Sequence, residues 1–175
     1  MKKHAVVYFP NINTDKINVF REKYDPQYRI IRPHITLVFP ISGISEEQVI
    51  EHLNIITTKS IKPFQIEFKG LIRSFDDYLF LLVEKGNEEI IRVHNLLYSG
   101  ALASQPRNDI RFIPHITLGA FQTTDGQFNT TVYEQAFAEA EELNTGITCN
   151  FDDVSLIKGD GISPAKLVKS FVFTR

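Results

Sequence analysis

Two histidines in this chain have identical neighbours: Pro33-His34-Ile35-Thr36-Leu37 recurs as Pro114-His115-Ile116-Thr117-Leu118, 81 residues further on. Successive side chains of a strand point to opposite faces. In each copy the imidazole and the hydroxyl therefore share one face, while the isoleucine and leucine take the other. Pro33 and Pro114 lack an N–H and favour the start or edge of a strand, which puts each histidine near a strand's beginning. Two imidazoles and two hydroxyls across one cleft suit transfer at a phosphodiester. A neutral histidine takes a proton from water or an alcohol, while a protonated one gives a proton to the leaving oxygen. Thr36 and Thr117 are placed to donate hydrogen bonds to the nonbridging phosphate oxygens. In-line displacement needs acid and base on opposite sides of phosphorus, and a cleft with twofold pseudosymmetry supplies both.

Other residues near the motifs are open to two readings. Arg32, two before His34, and Arg111, four before His115, share the parity of the cleft face if the strands extend back that far. Each is then either a bidentate phosphate contact or a solvated strand-entry charge. Arg107 lies in a Pro/Asn loop and is less constrained. Tyr8, Phe39 and Phe121 read as core residues, with base stacking at the cleft mouth as the alternative. His4, His52 and His94 have no repeated partners and read as solvent-facing or capping. No Asp, Glu or Cys sits at ligand spacing in either motif, so no metal is expected. No Gly-rich phosphate loop of the Walker or dinucleotide type occurs, so no cofactor is expected, and Gly159-Asp160-Gly161 reads as a hairpin turn.

The elements that must hold these residues follow from periodicity. Ala5 to Phe9 reads as a buried strand, and Asn13 as the cap of a helix carrying Ile17, Phe20 and Tyr24. After the first motif strand, Ser45-x-x-Gln48 resembles a capping box opening a helix with Val49, Leu53 and Ile56 on one face. Phe64 to Phe68 alternates with period two, and Tyr78 to Val83 is a continuous β-prone run, with Ser74 to Asp77 as the turn between them. In the second half Asn87 is expected to cap a helix bearing Ile90, Val93 and Leu97. Thr131-x-x-Glu134 is expected to open another after the second motif strand. Strands are then expected over Ile147 to Ile157 and Leu167 to Phe173. Both halves thus read helix, His-Thr strand, helix, strand, strand, an order that points to duplication.

Composition sets the outer limits. With 175 residues, 43% hydrophobic, 14 Phe and 6 Tyr, the chain has enough apolar surface for one folded domain. Its 19 Lys+Arg against 21 Asp+Glu, net charge -2, argue against extended binding to duplex nucleic acid. Cys149 is the single cysteine, which excludes an internal disulfide framework and a cysteine zinc cluster, and the cytoplasm is the expected compartment. The apolar run Ala5 to Phe9 is ended by Pro10, so neither a signal sequence nor a membrane span is expected.

The paired His34-Ile35-Thr36 and His115-Ile116-Thr117 resemble the twin His-x-Thr signatures of the 2H phosphoesterase superfamily, which includes bacterial 2'-5' RNA ligases and 2',3'-cyclic nucleotide phosphodiesterases. The similarity covers nearly the whole chain, and Arg107 to Leu118 with the flanking helix resembles a small bacterial subgroup. The resemblance implies a bilobal α+β fold with pseudo-twofold lobes, each with an antiparallel sheet and outer helices, around a central cleft. It implies one domain over 1–175, with lobes at approximately 10–85 and 86–175 and the N-terminal strand at 5–9. It also implies His34 and His115 as acid and base, Thr36 and Thr117 as phosphate ligands, and a metal-independent phosphodiesterase or RNA-end ligase. The substrate is then a nucleotide or RNA terminus with a 2',3'-cyclic phosphate or 2'-5' linkage. The alternative is a non-catalytic nucleotide- or RNA-end-binding module using the same cleft. Two intact histidines favour the enzyme, since Arg or Lys serves simple phosphate binding as well. Oligomeric state, and which histidine is the base, stay open.

Overall fold

Both motif strands lie at the edge of a sheet, and the arrangement of the remaining elements explains why. The computed structural model describes residues 2–107 and 109–174. Along these residues run β1 (Lys3–Tyr8), α1 (Asp15–Tyr24), β2 (Ile35–Ile41), α2 (Glu46–Lys59), β3 (Phe64–Arg73) and β4 (Tyr78–Lys85). They are followed by α3 (Asn87–Leu97), β5 (His115–Ala120), α4 (Thr130–Ala140), β6 (Ile147–Phe151), β7 (Asp153–Gly159) and β8 (Lys166–Val172). The strands form two four-stranded sheets, ordered β2-β1-β7-β8 and β5-β4-β3-β6. All neighbouring pairs are antiparallel, so the expected α+β class with two sheets and helices is what the chain forms.

The sheets do not follow the two halves of the sequence. The first sheet takes β1 and β2 from the start of the chain and β7 and β8 from its end, while β3 to β6 make the second. The cause is β1, which has two edges to satisfy: β2 covers one, and β7 covers the other with Ala5 opposite Ile157 and Val6 opposite Leu156. For the same reason the single strand expected over 147–157 is two strands. Its first part pairs with β3, placing Ile66 opposite Cys149, and the chain crosses at Asp152 to reach β1.

The capping box is present as expected: Ser45 Oγ accepts from Gln48 N, and Ser45 N donates to Gln48 Oε1, both at 3.2 Å. Three other caps are displaced. Asn13 accepts from Asp15 N at 2.9 Å, but the residue flanking α1 is Thr14, whose carbonyl accepts from Asn18 N. Asn129, not Thr131, caps α4 by accepting from Val132 N. Gly86 rather than Asn87 is the residue that caps α3, in a left-handed conformation (φ 79°) that favours glycine. A Cβ there would come within 2.7 Å of Ile66 Cγ2.

One hydrophobic core joins the sheets. Leu37 and Val6 of the first pack in the same cluster as Phe68, Leu81 and Phe151 of the second. The buried Tyr8 ring lies 4.4 Å from Phe151, and its hydroxyl donates to Asn150 O at 2.6 Å, as an interior phenol requires. The helices cross-brace the two sheets: α1 packs against β5, whereas α3 packs against β2. Gly119 permits the first of these contacts, since a Cβ there would meet Tyr24 Cβ at 2.9 Å. Among the described residues no helix is long and apolar enough to cross a membrane.

Candidate active site

The edge strands β2 and β5 approach each other, with Cα atoms within 8 Å, and the motifs alternate as expected. Ile35 (1% exposed), Leu37 (0%), Ile116 (1%) and Leu118 (0%) face the core, whereas His34, Thr36, His115 and Thr117 are half-buried on the other side. Core burial of the isoleucine and leucine thus fixes where the imidazole and hydroxyl point.

Each imidazole is held by the same local bond. His34 Nδ1 lies 2.9 Å from Arg32 O, and His115 Nδ1 lies 2.5 Å from Ile113 O. A carbonyl only accepts, so Nδ1 carries the proton in each neutral ring and Nε2 keeps its lone pair. Desolvation lowers the pKa of both, each to about 4, against the favourable pull of these carbonyls. Two positive charges contribute smaller lowering effects: Arg21 acts on His34, and His34 acts on His115. The histidines therefore share one electrostatic environment, and protonating one opposes protonating the other.

Two grooves meet between the motifs. His34 and Thr36 line one of about 430 Å³, with apolar walls from Ala5, Val7, Ile31 and Ile157. His115 and Thr117 line another of about 750 Å³, which also takes in Arg73, Arg107 and Arg111. Thr36 and Phe39 belong to both. Phe39 is thus a cleft residue, while Tyr8 (1% exposed) and Phe121 (2%) lie in the core.

The two arginines before the motifs are placed differently. β2 begins at Ile35, because Pro33 has no N–H with which to continue a ladder. The strand parity assumed for Arg32 therefore does not apply: its guanidinium rests 4.0 Å above the Phe9 ring, outside the groove lined by His34. Its backbone carbonyl is the part that holds His34. Arg111 also precedes its strand, yet it is exposed and lines the groove of His115.

Sequence reasoning missed Arg73 and Phe80. The Phe80 ring stacks on His115 with centroids 3.5 Å apart and planes 17° apart. The aromatic ring nearest His34 is Phe9, at 6.2 Å and 60°. The available signal was the shared parity of Tyr78 and Phe80 on β4, whose register sets Phe80 opposite Thr117. The remaining histidines are not solvent-facing: His4 pairs with Glu46 at 2.9 Å, and buried His52 caps the end of α3 through Leu97 O. His94 bonds Leu37 O at 2.7 Å and stacks on Phe112 at 3.7 Å, tying the loop before β5 to β2. No group of three or more His, Cys, Asp or Glu side chains converges among the described residues.

The sequence profile of the 2'-5' RNA ligase superfamily matches residues 9–162, which include both motifs. This chain belongs to that family. Among similar proteins, one from Bacillus licheniformis named "Putative phosphoesterase" is 31% identical over 122 residues, covering 66% of this chain and 69% of its own. A Bacillus cereus protein of the same description is 35% identical over 123 residues, covering 67% and 69%. Escherichia coli LigT, solved with 3'-AMP, superposes with a TM-score of 0.68 over 99% of both chains at 16% identity. Kluyveromyces marxianus Usb1 superposes with a TM-score of 0.53 over 94% of this chain and 96% of its own, at 13% identity. The fold seen in LigT thus extends over 99% of this chain, including the strands outside the profile match.

Proposed function

We propose that this protein is a phosphodiesterase or RNA-end ligase that works by two-histidine acid–base catalysis on a 2',3'-cyclic phosphate or a 2'-5' linkage. The observation that carries the reading is the matched pair of half-buried imidazoles, each oriented through Nδ1 with Nε2 open. In hydrolysis of a cyclic phosphate, water attacks phosphorus and the bond to one ribose oxygen breaks. Nε2 of one histidine takes the proton from water, while Nε2–H of the other protonates the departing oxygen. Thr36 and Thr117 donate to the nonbridging oxygens. With a ribose hydroxyl attacking phosphorus in place of water, the same two proton transfers open the cyclic phosphate and join two ends; the reverse of that reaction cleaves the linkage. Structures of LigT with 3'-AMP and with ATP support a nucleotide as the ligand class.

Turnover of 2',3'-cyclic nucleotides, cyclic-phosphate-ended RNA and 2'-5' dinucleotides by the purified protein tests the reading, and the product identifies the reaction. Activity is expected to survive EDTA, because both proton transfers come from side chains. Loss of turnover on chelation, restored by zinc or manganese, overturns the mechanism.

The pH dependence follows from the depressed pKa values. With both imidazoles near 4, the free protein at pH 7 has two neutral rings, whereas the reaction needs one proton on the pair. Above about pH 5 the singly protonated fraction, and with it kcat/KM, falls about tenfold per pH unit. Bound phosphate is negative and raises the pKa of the adjacent acid, so the kcat profile lies at higher pH than that of kcat/KM. A kcat/KM profile peaking at pH 7 or above contradicts this expectation.

A further inference from the structure

We propose that the groove beside His115 binds a short single-stranded stretch of RNA leading up to the reacting end, with bases stacked on Phe75 and Tyr78 and a phosphate on Arg111. The inference rests on the reading under Proposed function and specifies which substrate that site prefers: an oligonucleotide end over a mononucleotide.

Three observations point to it. Phe75 stands at the tip of the β3–β4 hairpin, 100% exposed, on the rim of this groove. Hydrogen bonds brace the turn: Arg73 Nε and Nη2 both bond Asp77 Oδ1, Ser74 N donates to Tyr78 O, and Asp77 takes a left-handed conformation (φ 61°). A phenyl ring held in water on a braced turn is a ready stacking face for any base.

The second observation is the line of rings running inward from the rim. Tyr78 and Phe80 lie 6.2 Å apart with planes 19° from parallel, and Phe80 in turn lies flat on His115 at 3.5 Å. The alternation of β4 places Tyr78 and Phe80 on one face, so a base on Tyr78 leads directly to the imidazole.

The third is charge. Arg73 and Arg107 are paired with Asp77 and Asp109, each at 2.6 Å. Arg111 lines the same groove and has no ion-pair partner among the described residues. That leaves one cation for one phosphate. The groove beside His34 is lined by one cation, Lys3, together with Asp160, and by no arginine, whereas three arginines against Asp76 and Asp109 line the groove beside His115, so the polyanionic strand is assigned to the His115 side. The formal net charge of -2 favours a short contact of this kind over attachment to an anionic membrane.

The test compares kcat/KM for a 2',3'-cyclic mononucleotide with that for a tetranucleotide ending in the same cyclic phosphate, alongside binding of a labelled tetranucleotide 3'-phosphate. A stacked base is commonly worth about tenfold or more in affinity, so the tetranucleotide is expected to be preferred by about tenfold. Phe75→Ala removes most of that preference and weakens tetranucleotide binding about tenfold, and Phe75→Tyr restores both. Arg111→Gln lowers the slope of log K against log salt by about 0.7, as loss of one phosphate contact on a single strand requires. Equal kcat/KM for the two substrates, or binding unaffected by Phe75→Ala, overturns the inference. Turnover of the mononucleotide alone leaves the acid–base reading standing while this one falls. If neither substrate reacts and 2'-5' dinucleotides are also left intact, the acid–base reading falls, and the binding measurement still decides the groove. Phe75-dependent sedimentation with phosphatidylserine vesicles, without Phe75-dependent RNA binding, assigns the aromatic tip to a membrane and also overturns it.

Discussion

Replacing His34 or His115 by alanine is expected to lower turnover by about 10²-fold or more in each case, because a positioned proton transfer is typically worth about 10² to 10⁴. Affinity for substrate or product falls much less, since phosphate binding is shared with Thr36 and Thr117. The two single losses do not multiply. One histidine cannot protonate the departing oxygen usefully while the attacking hydroxyl keeps its proton, so the double variant is little worse than the worse single variant. Thr36→Ala and Thr117→Ala each remove one hydrogen bond to a charged group, worth about 1.5–3 kcal/mol, and cost roughly 10- to 100-fold. Thermal melts separate chemistry from folding, because both imidazoles are only half-buried and their truncation opens no core cavity. Single histidine variants with wild-type turnover on every accepted substrate would refute the assignment. Tight binding of cyclic-phosphate ends without turnover by the wild type supports a binding module instead.

The largest expected effect on stability lies behind the site, at a residue pair that lines neither groove. Arg21 and Asp25, 2% and 4% exposed at their side chains, form an ion pair of 2.7 Å within the turn that ends α1. Arg21 Nη2 also donates to Ile31 O at 2.9 Å, and Asp25 Oδ1 accepts from Gln27 N at 2.8 Å. The pair therefore stitches down the segment that delivers His34. Asp25→Ala strands a buried guanidinium, a change that costs about 3–5 kcal/mol. For a chain of this size each kcal/mol lowers Tm by about 2–4 °C, so a fall of about 6–20 °C is expected. Replacing both partners by apolar residues, Arg21→Met with Asp25→Leu, costs less than the single change, because no charge is left unpaired. A fall in Tm below about 3 °C for Asp25→Ala contradicts the account.

The motif strands were legible because their information is local. His34 and Thr36 face one way and Ile35 and Leu37 the other through backbone geometry alone, and Ser45 with Gln48 closes its capping box within one helical turn. What was illegible depends on partners far away in the sequence. Nothing in Ala5 to Tyr8 names β7 as the second neighbour, and Asp152 is only one polar residue in a long β-prone run. Phe80 was read as one apolar residue among several, because the face it shares with His115 exists only once β4 and β5 pair. Nothing local to Arg21 marks it as buried, because the groups that enclose it, Asp25 and the Ile31 carbonyl, reach it only in the fold. At Arg32 the reason is different: the parity argument holds only if the strand reaches back to it, and the ladder begins after Pro33.

Cross-bracing and the shared first sheet also govern how the protein comes off the ribosome. β1 ends at Tyr8 and its second partner begins at Asp153, so 153 − 8 = 145 residues separate them. At about 5–20 residues per second, β1 waits about 7–30 s with one edge open after it is made. An unpaired apolar edge is a template for wrong pairing. The second sheet, β3 to β6, is complete before β7 exists, but the edge motif strand that faces it lacks half of its own sheet. A chain ending at Asp152 is therefore expected to melt without a cooperative transition and to aggregate, although it contains both histidines. A sharp two-state melt of that truncated chain would show that the lobes fold separately.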